Sequence, residues 1–139
     1  MDDEFAEASA PSLIFDTDVL IWYFRANEKA RRFLTRVPYR RRAVSSLVMM
    51  ELVQGCRHPG EVEDVEAFRF QNIARVLDPD SPICHRAITL LKRHAMADGL
   101  RVVDALIAAT ALEYGYALAT ANLKHYRSIA GLKVFPFKP

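Results

Sequence analysis

Four short apolar runs, separated by longer segments with helical character, constrain this chain most. They are SLIF (12–15), RAVSS (42–46), ARVLD (74–78) and YALAT (116–120). Apolar runs of this length, ended by polar or turn residues, read as buried strands. Between them lie DTDVLIWYFR, EKARRFLTRV, SLVMMELVQGCR, PGEVEDVEAFRFQNIARVL, SPICHRAITLLKRHAMADG and VVDALIAATALEYG. A short helix is expected around NLKHYRSI, and LKVFPF closes the chain. Strands alternating with helices predict an α/β fold, a parallel sheet covered on both faces. Binding sites in such sheets lie beyond the carboxyl ends of the strands.

At 139 residues the chain fits one domain, expected over 12–139, with residues 1–11 as a mobile tail. A composition of 51% hydrophobic and 26% charged residues is that of an ordinary globular protein. No apolar run approaches the ~20 residues of a membrane-spanning helix, and the acidic start is unlike a signal peptide, so a cytoplasmic protein is expected. Cys56 and Cys84 lack metal-ligand spacing and are expected to be buried thiols. Four of the 17 acids lie in the first seven positions, which hold no base, so the rest sets 19 basic residues against 13 acids. Arg36, Arg40, Arg41 and Arg42 form the densest basic group, readable as a phosphate-contacting patch or as a solvated loop.

Three carboxylates interrupt apolar surroundings. Asp16 follows Leu13, Ile14 and Phe15 where the first strand stops, and the helix after it is expected to begin near Asp18, a good N-cap type. Glu51 lies within SLVMMELVQG on a face with Val48, Leu52 and Gly55. Asp104 opens VVDALIAATALEYG, on a face continued by Ile107, Ala108 and Ala111. Each has an ordinary reading: Asp16 as a cap, Asp104 as a partner of a helix dipole, Glu51 as half of an ion pair. If all three converge, their repulsion requires a countercharge, and Mg²⁺ or Mn²⁺ suits carboxylate oxygens. The four histidines show no zinc-type spacing.

FDTDVLIWYF, then AVSSLVMMELVQG, then VVDALIAATALEYGYALATANLKHY resembles a PIN-domain ribonuclease of the VapC toxin type. The resemblance covers residues 12 to about 137, nearly the whole chain, with DALIAATAL…ALATAN as its most specific block. It implies a three-layer α/β/α fold with a mainly parallel central sheet, and metal-dependent endonucleolytic cleavage of RNA. It places the family acids on Asp16, Glu51 and Asp104, as catalytic residues and ligands of Mg²⁺ (or Mn²⁺). The fourth position falls on Asn122, beside Thr120, and an acid found in some members is replaced by His125 before Tyr126. One persistent Mg²⁺ is therefore the expectation. Asp16 is read as the metal ligand, Asp18 as a cap or supporting partner, and Thr17 as fixing the turn.

For the RNA substrate, Arg101 and Lys124 join the Arg40–Arg42 group as phosphate-binding candidates, with Tyr126 placed to stack on a base. The resemblance also implies a homodimer, a VapB-like antitoxin and no membrane association, with Trp22, Tyr23 and Phe24 as candidate contact aromatics. Two other readings are open: a PIN fold that only binds RNA or protein, and a haloacid-dehalogenase-like phosphatase using Asp16 and Asp18, with Ser45 in support.

Overall fold

The apolar runs become strands of one sheet in the computed structural model, which describes residues 12–139. The strands are β1 (Leu13–Phe15), β2 (Arg42–Ser45), β3 (Arg75–Leu77), β4 (Ala117–Thr120) and β5 (Val134–Pro136). They lie in the order β3-β2-β1-β4-β5 and every pairing is parallel. The helices are α1 (Thr17–Phe24), α2 (Glu28–Arg36), α3 (Ser46–Gln54), α4 (Pro59–Asn72), α5 (Ser81–Asp98), α6 (Val102–Tyr114) and α7 (Leu123–Tyr126). The expected tail, residues 1–11, lies outside the described residues.

β1 is the central strand, and Leu13, Ile14 and Phe15 are wholly buried, as a strand covered on both faces requires. Its neighbours β2 and β4 contribute Ala43, Val44, Ala117, Leu118 and Ala119 to the same core. On α6, Ala105, Ile107, Ala108, Ala109 and Ala111 are buried, and these mostly small side chains let α6 pack closely on β4 and α5. Gly99 and Gly115 end α5 and α6 with φ of 72° and 70°, the left-handed cap that closes a helix cheaply only with glycine. Among the described residues, no helix is long and apolar enough to cross a membrane.

Four expectations require correction. The cap of α1 is Asp16, not Asp18: Asp16 keeps extended backbone and accepts the Thr17 N–H at 2.8 Å, because the helix starts directly at the end of β1. Cys84 is exposed and Cys56 half-buried, since Cys84 lies on the outer face of α5. The basic group is not a free patch. Arg41 is buried, and Arg42 turns its guanidinium onto the carbonyls of Val37 and Asn72 at 2.8 and 3.3 Å, bracing the entry to β2. Arg40 alone of these three is exposed. Finally, Tyr23 and Phe24 pack on Phe68 of α4, with ring centroids 4.7 and 5.1 Å away, so these rings serve the fold.

Candidate active site

Parallel pairing brings the last residues of β1 and β4 side by side, with Phe15 opposite Ala119. The Asp16 N–H continues the ladder onto the Ala119 carbonyl at 2.9 Å. The Asp16 side chain therefore leaves the sheet at its carboxyl end, beside Thr120. It is only 7% exposed. The Thr120 hydroxyl lies 2.8 Å from Asp16 Oδ2 and 3.3 Å from Asp18 Oδ2, and accepts the Asn122 N–H at 2.9 Å. Having one proton, it serves the nearer carboxylate. Asp18, one residue into the first turn of α1, accepts the Ala121 N–H on both oxygens at 3.2 and 3.1 Å. It ties α1 to the end of β4 as a supporting partner, one of the two roles expected of it.

Asp104, in the first turn of α6, reaches the same place. Its Oδ2 accepts the Arg101 N–H at 3.2 Å and lies 3.1 Å from His125 Nδ1. Tyr126 joins the two acids: its hydroxyl is 3.0 Å from Asp16 Oδ2 and 3.1 Å from Asp104 Oδ1. Its ring is fully buried, so it cannot stack on a base as expected. The short helix α7 turns the ring into the core while its hydroxyl reaches both carboxylates. Glu51 is exposed, contrary to the apolar setting expected of it, and accepts the Thr17 hydroxyl at 2.6 Å. Thr17 thus links α1 to α3 as well as opening the helix.

The electrostatics are those of a carboxylate cluster short of positive charge. Burial first, then repulsion from Asp18, pushes the Asp16 carboxyl up to about 7, against hydrogen bonds from Thr120, Thr17 and Tyr126 that pull it down. Burial also raises Asp18, opposed mainly by the Ala121 N–H. The Tyr126 phenol is driven far up by burial and by the flanking Asp16 and Asp104, so it stays protonated and remains a donor. No lysine or arginine within the described residues forms an ion pair with Asp16 or Asp104; the only basic partner is His125, on Asp104.

Asp16 and Asp104, bridged by one phenol, with exposed Glu51 one threonine away, offer the oxygen donors a hard divalent cation takes. The buried negative charge supplies a reason to bind one. In charge and donor type the residues fit such an ion. As placed, no three His, Cys, Asp or Glu side chains among the described residues gather on a single metal position. Glu51 would have to leave Thr17 to complete a set, a rotation open to an exposed side chain.

The other expected site residues fall around this centre. Asn122 is exposed, and its side-chain nitrogen is 3.0 Å from His125 Nδ1, the atom that also approaches Asp104; it makes no hydrogen bond to the acids themselves. Arg101 and Lys124 are exposed at the starts of α6 and α7. Sequence reasoning gave no structural role in the acidic site to His125 or Tyr126. The four-residue helix α7 offered no periodic signal for either, since its first residue, Leu123, is itself exposed. Replacing the Thr120 hydroxyl with methyl (Thr120→Val) is expected to raise the Asp16 carboxyl further, since it removes the strongest hydrogen bond holding it down. A carboxyl-carbon NMR titration checks this, and an unmoved midpoint would discard the hydrogen-bond assignment.

Residues 13–131 match the family described as PIN domain. Among solved structures, the chain is similar to a toxin-antitoxin complex from Klebsiella pneumoniae, at 26% identity and a TM-score of 0.74, covering 92% of this chain and 100% of that one. VapBC2 from Rickettsia felis, bound to a DNA fragment from its promoter, has a TM-score of 0.72 at 18% identity, covering 91% of this chain and 98% of the other. A Mycobacterium tuberculosis VapC toxin described as cleaving the sarcin-ricin loop has a TM-score of 0.68 at 20% identity, covering 88% and 99%. These last two likenesses are of fold. No curated protein matches the chain.

Proposed function

Because the chain belongs to the PIN domain family, we propose that it is a metal-dependent endoribonuclease, the toxin of a toxin–antitoxin pair. The observation that carries this reading is Asp16: a buried carboxylate at the carboxyl end of a parallel sheet, bridged to Asp104 and, among the described residues, in no ion pair with a basic side chain. The similarity to the Klebsiella pneumoniae complex supports an antitoxin partner. The sarcin-ricin-loop-cleaving neighbour supports RNA as substrate. A homodimer and a cytoplasmic location belong to the same reading, and the family fold leaves the phosphatase alternative without support, since Asp18 is committed to the Ala121 N–H.

Asp16, Asp104 and Glu51 would hold Mg²⁺ or Mn²⁺, which supplies Lewis acidity toward a phosphodiester. Within the chain, Tyr126 and Thr120 fix the directions of the Asp16 and Asp104 oxygens. Thr17 holds Glu51 beside this pair, and on release from that hydrogen bond Glu51 would complete the ligand set or orient the attacking water. Arg101 and Lys124, exposed on either side, attract the phosphate chain. Asn122 and His125, hydrogen-bonded to each other beside Asp104, supply further hydrogen-bonding groups.

A second reading, a PIN fold that binds RNA or protein without cutting, is favoured by one observation: three acidic side chains do not meet at one point. Purified protein, freed of any antitoxin and incubated with total RNA in Mg²⁺, Mn²⁺ or EDTA, separates the two. Discrete fragments that require metal are expected. Intact RNA in every lane, together with no Mn²⁺ affinity, would establish the binding module instead.

A further inference from the structure

Arg41 buries a full positive charge. It closes the turn Tyr39–Arg41 at the entrance to β2 and is only 6% exposed. Its Nε and Nη1 are buried and have no hydrogen-bond partner among the described residues, and it forms no ion pair there. A buried donor left unsatisfied is destabilising, and more so when it is charged. The next residue shows the contrast: Arg42 meets its donors with the carbonyls of Val37 and Asn72. Arg41 requires an acceptor that the described fold does not supply.

A second cation stands at the same end of the sheet. The Ala74 N–H binds the Arg42 carbonyl at 3.0 Å, and Arg75 pairs with Ala43 in parallel register. From strand spacing and rise, the backbones of Arg41 and Arg75 are within roughly 9 Å of each other, a gap that two arginine side chains span. Arg75 is exposed. Its guanidinium lies over the rings of Tyr114 and Tyr116, 5.6 Å from each centroid, and donates to the Tyr116 hydroxyl. Arg75 opens β3 and Tyr116 immediately precedes β4, strands separated in the sheet by β2 and β1. Their contact therefore crosses the amino-terminal ends of both intervening strands, where Arg41 enters β2. Arg75 also has no ion pair among the described residues, and Glu113, beside Tyr114, is engaged by Arg86.

We propose that Arg41 and Arg75 bind a phosphate dianion, free or as a monoester on a nucleoside, at the amino-terminal end of the sheet. Charge selects phosphate over carboxylate. A phosphate monoester carries about −1.5 to −2 at neutral pH and matches two guanidinium groups, whereas one carboxylate neutralises only half of them. The planar guanidinium is also the side chain best shaped for phosphate oxygens. Arg75 now donates to a neutral phenol, an acceptor that a charged oxygen displaces. Arg75 and Tyr114 are both exposed, so this cover is free to rotate aside. The Tyr114 and Tyr116 rings, with centroids 5.4 Å apart, offer a face on which a nucleobase can stack. The site lies at the opposite end of the sheet from Asp16, so the proposal is independent of the catalytic reading.

The test follows the Nε–H signals of Arg41 and Arg75 by proton–nitrogen NMR in the full chain. Inorganic phosphate, and in a second series a nucleoside monophosphate, is added at constant ionic strength made up with chloride. Both signals should move along one saturable curve. Arg75→Gln, at an exposed position, should weaken binding about tenfold, the loss of one charge-assisted hydrogen bond. Arg41→Met should abolish binding and, in chloride alone, melt at a higher temperature than the unsubstituted protein, because it removes a buried unpaired charge. Tighter binding of the nucleotide, cancelled by Tyr114→Ala, would identify the ligand as a nucleoside phosphate. Equal affinity for both would identify it as the free ion. Arginine signals that stay in place, or that move equally with chloride, would overturn the proposal. So would phosphate binding that is unchanged in Arg75→Gln, a result that decides the matter even if Arg41→Met does not fold.

Discussion

Asp16→Asn is expected to lower kcat/KM for RNA cleavage by at least about 100-fold, since even outer partners of metal ligands are commonly worth 10–100-fold. The substitution is nearly isosteric. It keeps Oδ1 for the Thr17 N–H, so the cap of α1 survives, while the amide NH2 that replaces Oδ2 donates to the Thr120 or Tyr126 hydroxyl, which can also accept. What it removes is the charge at the most buried carboxylate of the site. The readout is single-turnover cleavage in Mg²⁺ at matched folded content, checked by circular dichroism. Glu51→Gln, at an exposed position, should perturb the fold still less. Activity in Asp16→Asn within a few-fold of the unsubstituted protein would remove Asp16 from the chemistry and return the site to a structural role.

The same substitution is expected to stabilise the metal-free protein, and increasingly so with pH. The folded state raises the Asp16 carboxyl from 3.8 to about 7. Between those values the folded protein holds a proton that the unfolded chain has released, so stability falls as pH rises across the window and the full penalty is present above about pH 7. Asp18, raised by burial, acts in the same direction. In EDTA, Asp16→Asn and the unsubstituted protein should melt together near pH 4 and separate to about 5–10 °C at pH 8, the size a few kcal/mol produces in a domain of this length. Saturating Mg²⁺ should narrow that gap, because bound cation removes the penalty the substitution removes. A gap constant across pH would show that Asp16 is not the group responsible. Function and stability thus oppose each other at one residue, as is common where charge is buried for chemistry.

The fold was legible because its determinants are local. Three buried residues in SLIF, four in YALAT and the alanines of α6 announce strands and a tightly packed helix without long-range information. The site was half legible. Asp16 and Asp104 stand out because a carboxylate ending a strand or opening an apolar helix has few ordinary reasons to be there. Glu51 was misread, because α3 is apolar nearly all round and periodicity cannot say which face meets solvent; the structure turns Glu51 outward. Tyr126 was misread for the opposite reason. A four-residue helix carries too little periodicity to reveal its inward side, so a buried phenol looked like a surface ring. The Arg41–Arg42 pair shows the limit of reading charge as surface: long side chains at a strand entrance can fold back onto backbone carbonyls.

The wide sequence separation of the site's contacts governs when, during synthesis, the acidic site can form. Asp16 emerges early from the ribosome, yet its hydrogen-bond partners Thr120 and Tyr126 lie 104 and 110 positions later. The receptor for Asp18, the Ala121 N–H, is equally late. At ordinary elongation rates of ~5–20 residues per second, at least about 5 s separate the two ends of the centre. The central strand β1 also lacks its β4 neighbour for all of that interval. A nascent or prematurely terminated chain therefore carries the acids without the scaffold that aims them. The acidic site is assembled only with the last fifth of translation.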